Sequence, residues 1–556
     1  MGRRGVAWLL TGLVSSLLLA PALRAQDVSG ALRGRVQGPD SQSLARVEVE
    51  ASGPALPRPV TVETDAQGRF QLLSLPVGTY AVRLRAVGYR PVRYLGVTVG
   101  LGRTADLGSI VLQTLTVELP EITVEARPTP VDPTTTTVGA TIPATAFDAL
   151  PLDRSFRSVV ALVPQATYQP PNLGGDGAGS EGVNIAGGTV WDNAYYVDGM
   201  DVTDPLNGTT GTNLPYNFLQ AVEVKTGGYE AEYGRALGGV INMVTPSGSN
   251  RFEGEAFSFL SDHRFTTAAR YGRNQPNLDS YTQFEVGLAL SGPIRRDRAW
   301  FYMAYSPIIS GRTAFFRGMA PARDRLTQHR FAGKITWQPG PATRLVLSGI
   351  GDPGVHDAVQ AGDFGAPDSV LNPEPVLGTW RRGGESLSLR GSQLIRSRLL
   401  LEAVALRSWF RSDRLPQSPL GGGPVLLDYS SDPNSVIGSG GFGGSDRVDL
   451  DRTSFQLRGT IGAGPHTLKA GAEYQLNTLH ERLEEGGSTG GGIWRYGNAF
   501  YLWDRLVSDG SVANRVYTLF AQDSWEATGW LRLNAGLRWE EQNWLDSRRA
   551  TRQVIP

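Results

Sequence analysis

Five histidines are the residues best able to carry metal or acid–base chemistry: His263, His329, His356, His466 and His480. A zinc site asks for ligands at short, regular spacings, such as two histidines four apart on one helix face. None of the five is so placed, and each reads as a loop or surface residue. Gly486-Gly487-Ser488-Thr489-Gly490 fits the spacing of a nucleophile elbow, in which a serine sits on a sharp strand-to-helix turn. Here it lies in a glycine-rich stretch between alternating strands, so the match reads as chance; mutating Ser488 would discriminate an envelope hydrolase. The run Gly174, Gly175, Gly177 and Gly179 is followed by no Lys-Ser or Lys-Thr pair, which a phosphate-cradling loop requires. Glu484-Glu485 reads as solvated loop charge. The absence of cysteine excludes disulfides, thiolate metal sites and a cysteine nucleophile, and suits a chain that crosses an oxidising periplasm. A formal net charge of zero gives no global attraction to nucleic acid. No catalytic residue, metal ligand or cofactor is expected.

A different chemistry, that of the backbone, is legible in Leu119-Pro120-Glu121-Ile122-Thr123-Val124-Glu125-Ala126. This short β-prone stretch lies in a tether, 116–137, that carries Pro120, Pro128, Pro130 and Pro133 and then four threonines. Repeated proline keeps backbone extended and poorly packed. A strand in such a tether can add to a partner's exposed sheet edge. It can equally be the last strand of the domain before it; its position just ahead of the next domain favours the first reading.

The elements that position this stretch follow from patterning. Residues 1–25 read as a signal peptide, with Arg3 and Arg4 ahead of an apolar run and a small residue at the cut. No later segment has the roughly 18 apolar residues that a spanning helix needs, so a membrane role would require a closed barrel. Residues 26–115 read as a β-sandwich: short strands carry Val36, Val47, Val49 and Val60, and turns fall at Thr64–Gly68 and Leu75–Tyr80. Residues 138–246 read as a small mixed domain. Its short helices are expected at Phe147–Leu150 and Phe156–Val163, its strands at Val183–Ile185, Ala194–Val197, Ala221–Val224 and Val240–Val244, with an Asp198-Gly199 turn.

From 247 to 556 the strands lengthen. Phe284, Val286, Leu288 and Leu290 alternate with Glu285, Gly287 and Ala289; Leu468, Ala470, Ala472 and Tyr474 alternate with Lys469, Gly471 and Glu473; Leu531 to Trp539 does the same. Apolar-out, polar-in alternation over about ten residues is the signature of a transmembrane barrel. Trp300, Phe301, Tyr302, Trp409, Phe410, Trp525 and Trp530 are expected in an interfacial girdle, and 352–383, 411–450 and 479–513 in long extracellular loops.

Three stretches together resemble the TonB-dependent receptors. Asn193-Ala194-Tyr195-Tyr196-Val197-Asp198-Gly199-Met200 is similar to that family's plug strand and turn. AVEVKTGGYEAEYGRALGGVINMVTPSGSN, residues 221–250, resembles its plug-to-barrel passage, with Gly227, Gly228, Glu232, Gly234, Gly238, Gly239 and Asn242 in place. Tyr517–Trp525 with Leu531–Trp539 looks like a strand pair common in these barrels. The run from Thr64 to Tyr89 resembles the non-catalytic carboxypeptidase regulatory-like domain, which narrows the likeness to the Oar-like branch. The resemblance implies a mainly β chain: an N-terminal sandwich, a small α+β plug, then a partial antiparallel transmembrane barrel in the outer membrane. It implies a TonB box at Glu121, Ile122, Thr123, Val124 and Glu125, a TonB-type energy-coupling protein and an extracellular ligand as partners, and uptake of that ligand; the alternative is a structural or adhesive surface protein. Barrels of this class use about 22 strands and about eleven are read here, so a truncated reading frame is expected.

Overall fold

The computed structural model describes residues 29–554 except 54–55, 57, 101, 116–121, 126–135, 153, 170–181, 207, 266–280, 315–321, 361–368, 371–372, 397, 433–434, 443, 486–491, 497, 504 and 529–530. The expected signal peptide, Glu121, Ser488 and Trp530 therefore lie outside the described residues.

Eight short strands build the first unit: β1 Ser29–Gln37, β2 Glu48–Ser52, β3 Val60–Glu63, β4 Arg69–Pro76, β5 Gly78–Arg85, β6 Val92–Val99, β7 Thr104–Val111 and β8 Ile122–Glu125. They form two sheets, β4-β1-β7 and β3-β2-β5-β6-β8. Leu32, Val36, Phe70 and Leu72 from one sheet meet Val49, Tyr80, Val82 and Leu84 from the other in a closed apolar core. The turn before β4 is held by Asp65, whose carboxylate accepts from Gln67 N at 2.9 Å and Arg69 N at 2.8 Å, and by Gly68 at φ +73°.

The second unit holds β9 Val138–Pro143, helices α1 Ala144–Phe147 and α2 Phe156–Val160, β10 Ala166–Gln169, β11 Gly182–Ile185, β12 Ala194–Val197, β13 Met200–Asp201, β14 Ala221–Gly227 and β15 Val240–Val244. Both helices are a single turn, α1 lying three residues earlier than its apolar residues suggest because Phe147 closes it rather than opens it. Ser155 caps α2 by accepting from Arg157 N. A five-stranded sheet, β13-β12-β15-β14-β9, packs against the helices through Phe147, Phe156, Val160, Val197, Val224 and Ile241.

The remaining strands are β16 Glu253–Asp262, β17 Thr282–Arg295, β18 Ala299–Ala314, β19 Ala322–Trp337, β20 Thr343–Gly351, β21 Gly354–Gln360, β22 Ser369–Val370, β23 Leu377–Ile395 and β24 Leu399–Pro416. They continue with β25 Val425–Asp432, β26 Ser435–Gly440, β27 Gly444–Ala463, β28 His466–Glu485, β29 Gly492–Tyr496, β30 Ala499–Trp503, β31 Arg505–Glu526 and β32 Arg532–Val554. An antiparallel wall runs β16-β17-β18-β19-β20-β23-β24-β27-β28-β31-β32, with β21 bridging β19 and β23. Among the described residues, β16 and β32 are each paired on one side only.

Alternation sets the faces of this wall. Phe284, Val286, Leu288 and Leu290 are exposed on the outer face, while Glu285 between them is buried. The same parity corrects the girdle: Trp300 and Tyr302 are buried and face inward, because three consecutive strand residues cannot share one face. Trp300 instead donates to Asn250 Oδ1 at 2.8 Å, while Trp409 and Trp525 stand outward.

The expected long loops are largely strand. The wall strands extend far past the span of a bilayer, β31 over 22 residues and β32 over 23. Segments between them form a separate sheet, β22-β26-β25-β29-β30. Glycine-rich composition concealed this, since the stabilising pairs are remote in sequence. Glu484 likewise lies in β28, bonded by Arg482 at 2.6 Å, rather than in a loop.

The outer face carries a direct test. Arginine in place of Leu288, near the middle of β17, is expected to cost about 2–4 kcal/mol of bilayer insertion. Folding titrations of wild type and Leu288→Arg into lipid vesicles check this, and equal midpoints would assign that face to something other than lipid.

Candidate functional site: the plug anchors and the coupling strand

Asp198 and Gly199 form the two-residue turn between β12 and β13, with φ of +49° and +73° as a mirror-image turn requires. The turn does more than reverse the chain. The buried Asp198 carboxylate accepts from Thr245 N at 3.0 Å and Thr245 Oγ1 at 2.6 Å, and from Lys334 Nζ of β19 at 2.9 Å. Its carbonyl accepts from Arg390 of β23 at 2.9 Å. One residue thus ties the turn, the passage out of the plug and two strands of the wall.

Asn193 does the equivalent inside the plug. Its amide nitrogen donates to Val183 O at 2.7 Å and its Oδ1 accepts from Gly239 N at 2.7 Å, joining β11 to the start of β15. A side chain on Gly238 would collide with that Oδ1, and one on Gly239 with Ile185, so both glycines are sterically required. Gly228 has φ +64° and abuts Thr136 O; Gly227, by contrast, faces open space and nothing demands glycine there.

Glu232 is the centre of a second anchor. It is buried between plug and wall, and accepts from Arg458 of β27 at 2.9 Å and Lys469 of β28 at 2.7 Å. Arg458, wholly buried, also binds Glu402 of β24 through Nε at 3.0 Å. Gly234 leaves room for the Arg538 guanidinium of β32, which donates to Glu232 O at 3.0 Å. Beside it Arg235 reaches Gln475 at 2.8 Å, and Arg452 of β27 donates to Asp201 O at 2.8 Å and Thr203 O at 2.7 Å. The wall residues of these anchors were not singled out from sequence. Their one signal is a charge on the polar parity of a strand, which a lining residue of a water-filled lumen would also give.

Asn242 pairs in register with Glu223, and Glu223 with Thr141, in one row across β15, β14 and β9. Asn242 Oδ1 and Thr141 Oγ1 are buried atoms without a hydrogen-bond partner among the described residues. Glu223 is met by Lys225 at 3.6 Å and by Arg103 of the sandwich at 3.8 Å. Burial pushes its carboxyl from the ordinary 4.5 up to about 7, with the two cations pulling the other way.

Residues 122–125 belong to the sandwich. Ile122–Glu125 is strand β8, pairing parallel with β6 in the register Val92↔Ile122, Arg93↔Thr123, Tyr94↔Val124 and Leu95↔Glu125. The sandwich that carries it is fixed to the other units. Gln220 of the plug donates to Val77 O at 3.1 Å, and Val77 packs on Ala221 and Val244. Arg33 and Asp106 of the sandwich meet Glu526 and Arg532 of the wall at 3.6 Å each.

The anchors generate two expectations. Arg458→Met leaves Glu232 and Glu402 buried around an uncharged side chain, and the loss expected is about 3–5 kcal/mol. The denaturant midpoint of the membrane-inserted protein checks it; adding Glu402→Gln is expected to recover part of the loss. Because Glu223 has a folded value above its ordinary one, its contribution favours the fold below about pH 4.5 and is lost as pH rises through about 7. The midpoint of wild type is therefore expected to fall relative to Glu223→Gln across that window, and parallel curves would refute the shift.

Residues 31–113 match the carboxypeptidase regulatory-like domain, residues 132–240 the TonB-dependent receptor plug domain, and residues 244–323 an outer membrane beta barrel domain. The chain is 34% identical to the TonB-dependent transporter Oar of Myxococcus xanthus over 316 residues, 53% of this chain and 28% of that protein. The fold is similar to that of the outer membrane transporter YddB from Escherichia coli, with a TM-score of 0.55 and 14% identity, over 74% of this chain and 57% of that one. It is also similar to the ferric citrate transporter FecA, with a TM-score of 0.52 and 14% identity, over 75% and 59%. The chain thus spans well under two thirds of the length of the proteins it matches. With these domain matches in that order, the chain is similar to the TonB-dependent receptors, Oar among them.

Proposed function

We propose that the chain serves energised uptake across the outer membrane of a scarce or large ligand, of the peptide, glycan or metal-chelate kind, and that it is not an enzyme. A TonB-type energy-coupling protein would engage Glu121, Ile122, Thr123, Val124 and Glu125 and pull on the plug. The observation that carries this reading is the placement of β8 a short tether ahead of β9, the edge strand of a plug held to the wall by Asp198 and Glu232. Along the chain, β9 is the first strand after β8. On the polar parity of β23, Trp380 lies under the guanidinium groups of Arg382 at 4.2 Å and Arg414 at 5.2 Å, a surface suited to planar or anionic ligand groups.

A second reading, a structural or adhesive surface protein, draws on the β29–β30 hairpin, where Phe500, Tyr501 and Leu502 stand exposed. Deleting Glu121–Glu125 separates the two. Cells are offered labelled ferric chelate, oligosaccharide and peptide probes, and surface binding and internalisation are scored apart. Uptake is expected to be lost with surface binding unchanged. Undiminished uptake would remove the coupling role, and a defect confined to cell contact would favour adhesion.

A further inference from the structure

The second sheet of the sandwich would end at β6 were it built only from strands joined by short connections. It ends instead on β8, the segment that the proposed function gives to the coupling partner. A strand that adds to a partner's sheet uses main-chain donors and acceptors. In β8, those on one side are already committed to β6 over four register pairs.

The attachments of the sandwich decide what that commitment does. Arg33 and Asp106 hold it to the β31–β32 end of the wall, and Val77 and Arg103 hold it to the plug. A pull on β8 while it remains in the sheet is therefore carried by the sandwich into these attachments, and not along the chain to β9. Residues 126–137 can span at most about 40 Å when fully extended. Only after β8 leaves β6 can that tether tighten and load β9.

We propose that the β6 edge of the sandwich is a resting dock for Ile122–Glu125, from which the segment must be stripped before a TonB-type partner can grip it and load the plug. The proposal rests on the coupling role given to that segment above. It assigns the sandwich a task as well: it withholds the coupling strand from the partner while the receptor is idle.

The chain has no cysteine, so an introduced pair has no competitor. Arg93→Cys with Thr123→Cys places two thiols at register-paired positions of β6 and β8, and Arg93 is exposed on its sheet. Paired positions on neighbouring strands lie within the reach of a disulfide. The full chain is purified in detergent, oxidised or reduced, and offered the purified periplasmic domain of a TonB-type protein. The disulfide is expected to form under mild oxidation. Capture of the domain is expected to be at least tenfold lower in the oxidised protein than in the same variant after reduction, and recovery on reduction also reports an intact fold.

Failure of the disulfide to form overturns the dock. So does a closed disulfide with undiminished capture, which would mean that the partner adds to the outer edge of β8 where it lies. If the disulfide forms but neither wild type nor reduced variant captures the domain, the coupling role falls and the dock's purpose with it. Leu95→Cys with Glu125→Cys repeats the test two residues along the register, should the first pair disturb the sandwich.

Discussion

Hydrocarbon offers no partner to a backbone amide, and the wall strands answer to that constraint where they cross the bilayer. Each wall strand must satisfy its main chain through its neighbours, which fixes a two-residue period and sends every second side chain inward. Inward positions then face a plug rather than lipid, and where the plug excludes water each charge has to bring a counterpart. Arg458 with Glu232 and Glu402, and Lys334 with Asp198, are the outcome: ions buried between two surfaces that share them. Such pairs contribute modestly to net stability, but breaking one partner leaves an expensive remainder. They position the plug more than they glue it.

The plug sheet itself is built less tightly than its apolar core suggests. Glu223, Asn242 and Thr141 place a polar row through its middle strands. Buried polar atoms that lack partners cost about 1–3 kcal/mol each. Two cations stabilise the centre of the row, one of them supplied by the sandwich through Arg103. The plug therefore depends on its neighbour for part of its own satisfaction, and a shift of the sandwich would be felt along β14.

Local patterns in the sequence made the order of units and the faces of the strands readable. The alternation around Leu288 and the Asp198-Gly199 turn are short-range signals, and both appear in the structure as strands and turn of the kind they suggest. What stayed hidden depends on partners far away in sequence. Asp198 could be seen as a turn residue, but its bond to Lys334 crosses 136 positions, and that of Glu232 to Arg458 crosses 226. The strands within 411–450 and 479–513 were concealed for the same reason, since Gly and Pro content reports local preference and not a ladder such as β25 on β29. Ile122–Glu125 could be read as a strand from its residues; which sheet it joins could not.

The order of the ladders along the chain has a mechanical consequence. A load entering at Ile122–Glu125 meets first the four register pairs of β8 on β6, then, beyond the tether, the six of β9 on β14. β9 is itself an edge strand, so it can leave one pair at a time, while β12, β14 and β15 stay bonded on the sides away from it. The two ladders act in series, the weaker placed first. Tension too small to open β8 does not load β9, and tension that opens β9 removes Ala140 and Ile142 from the plug core before disturbing the strands that Asp198 and Glu232 anchor.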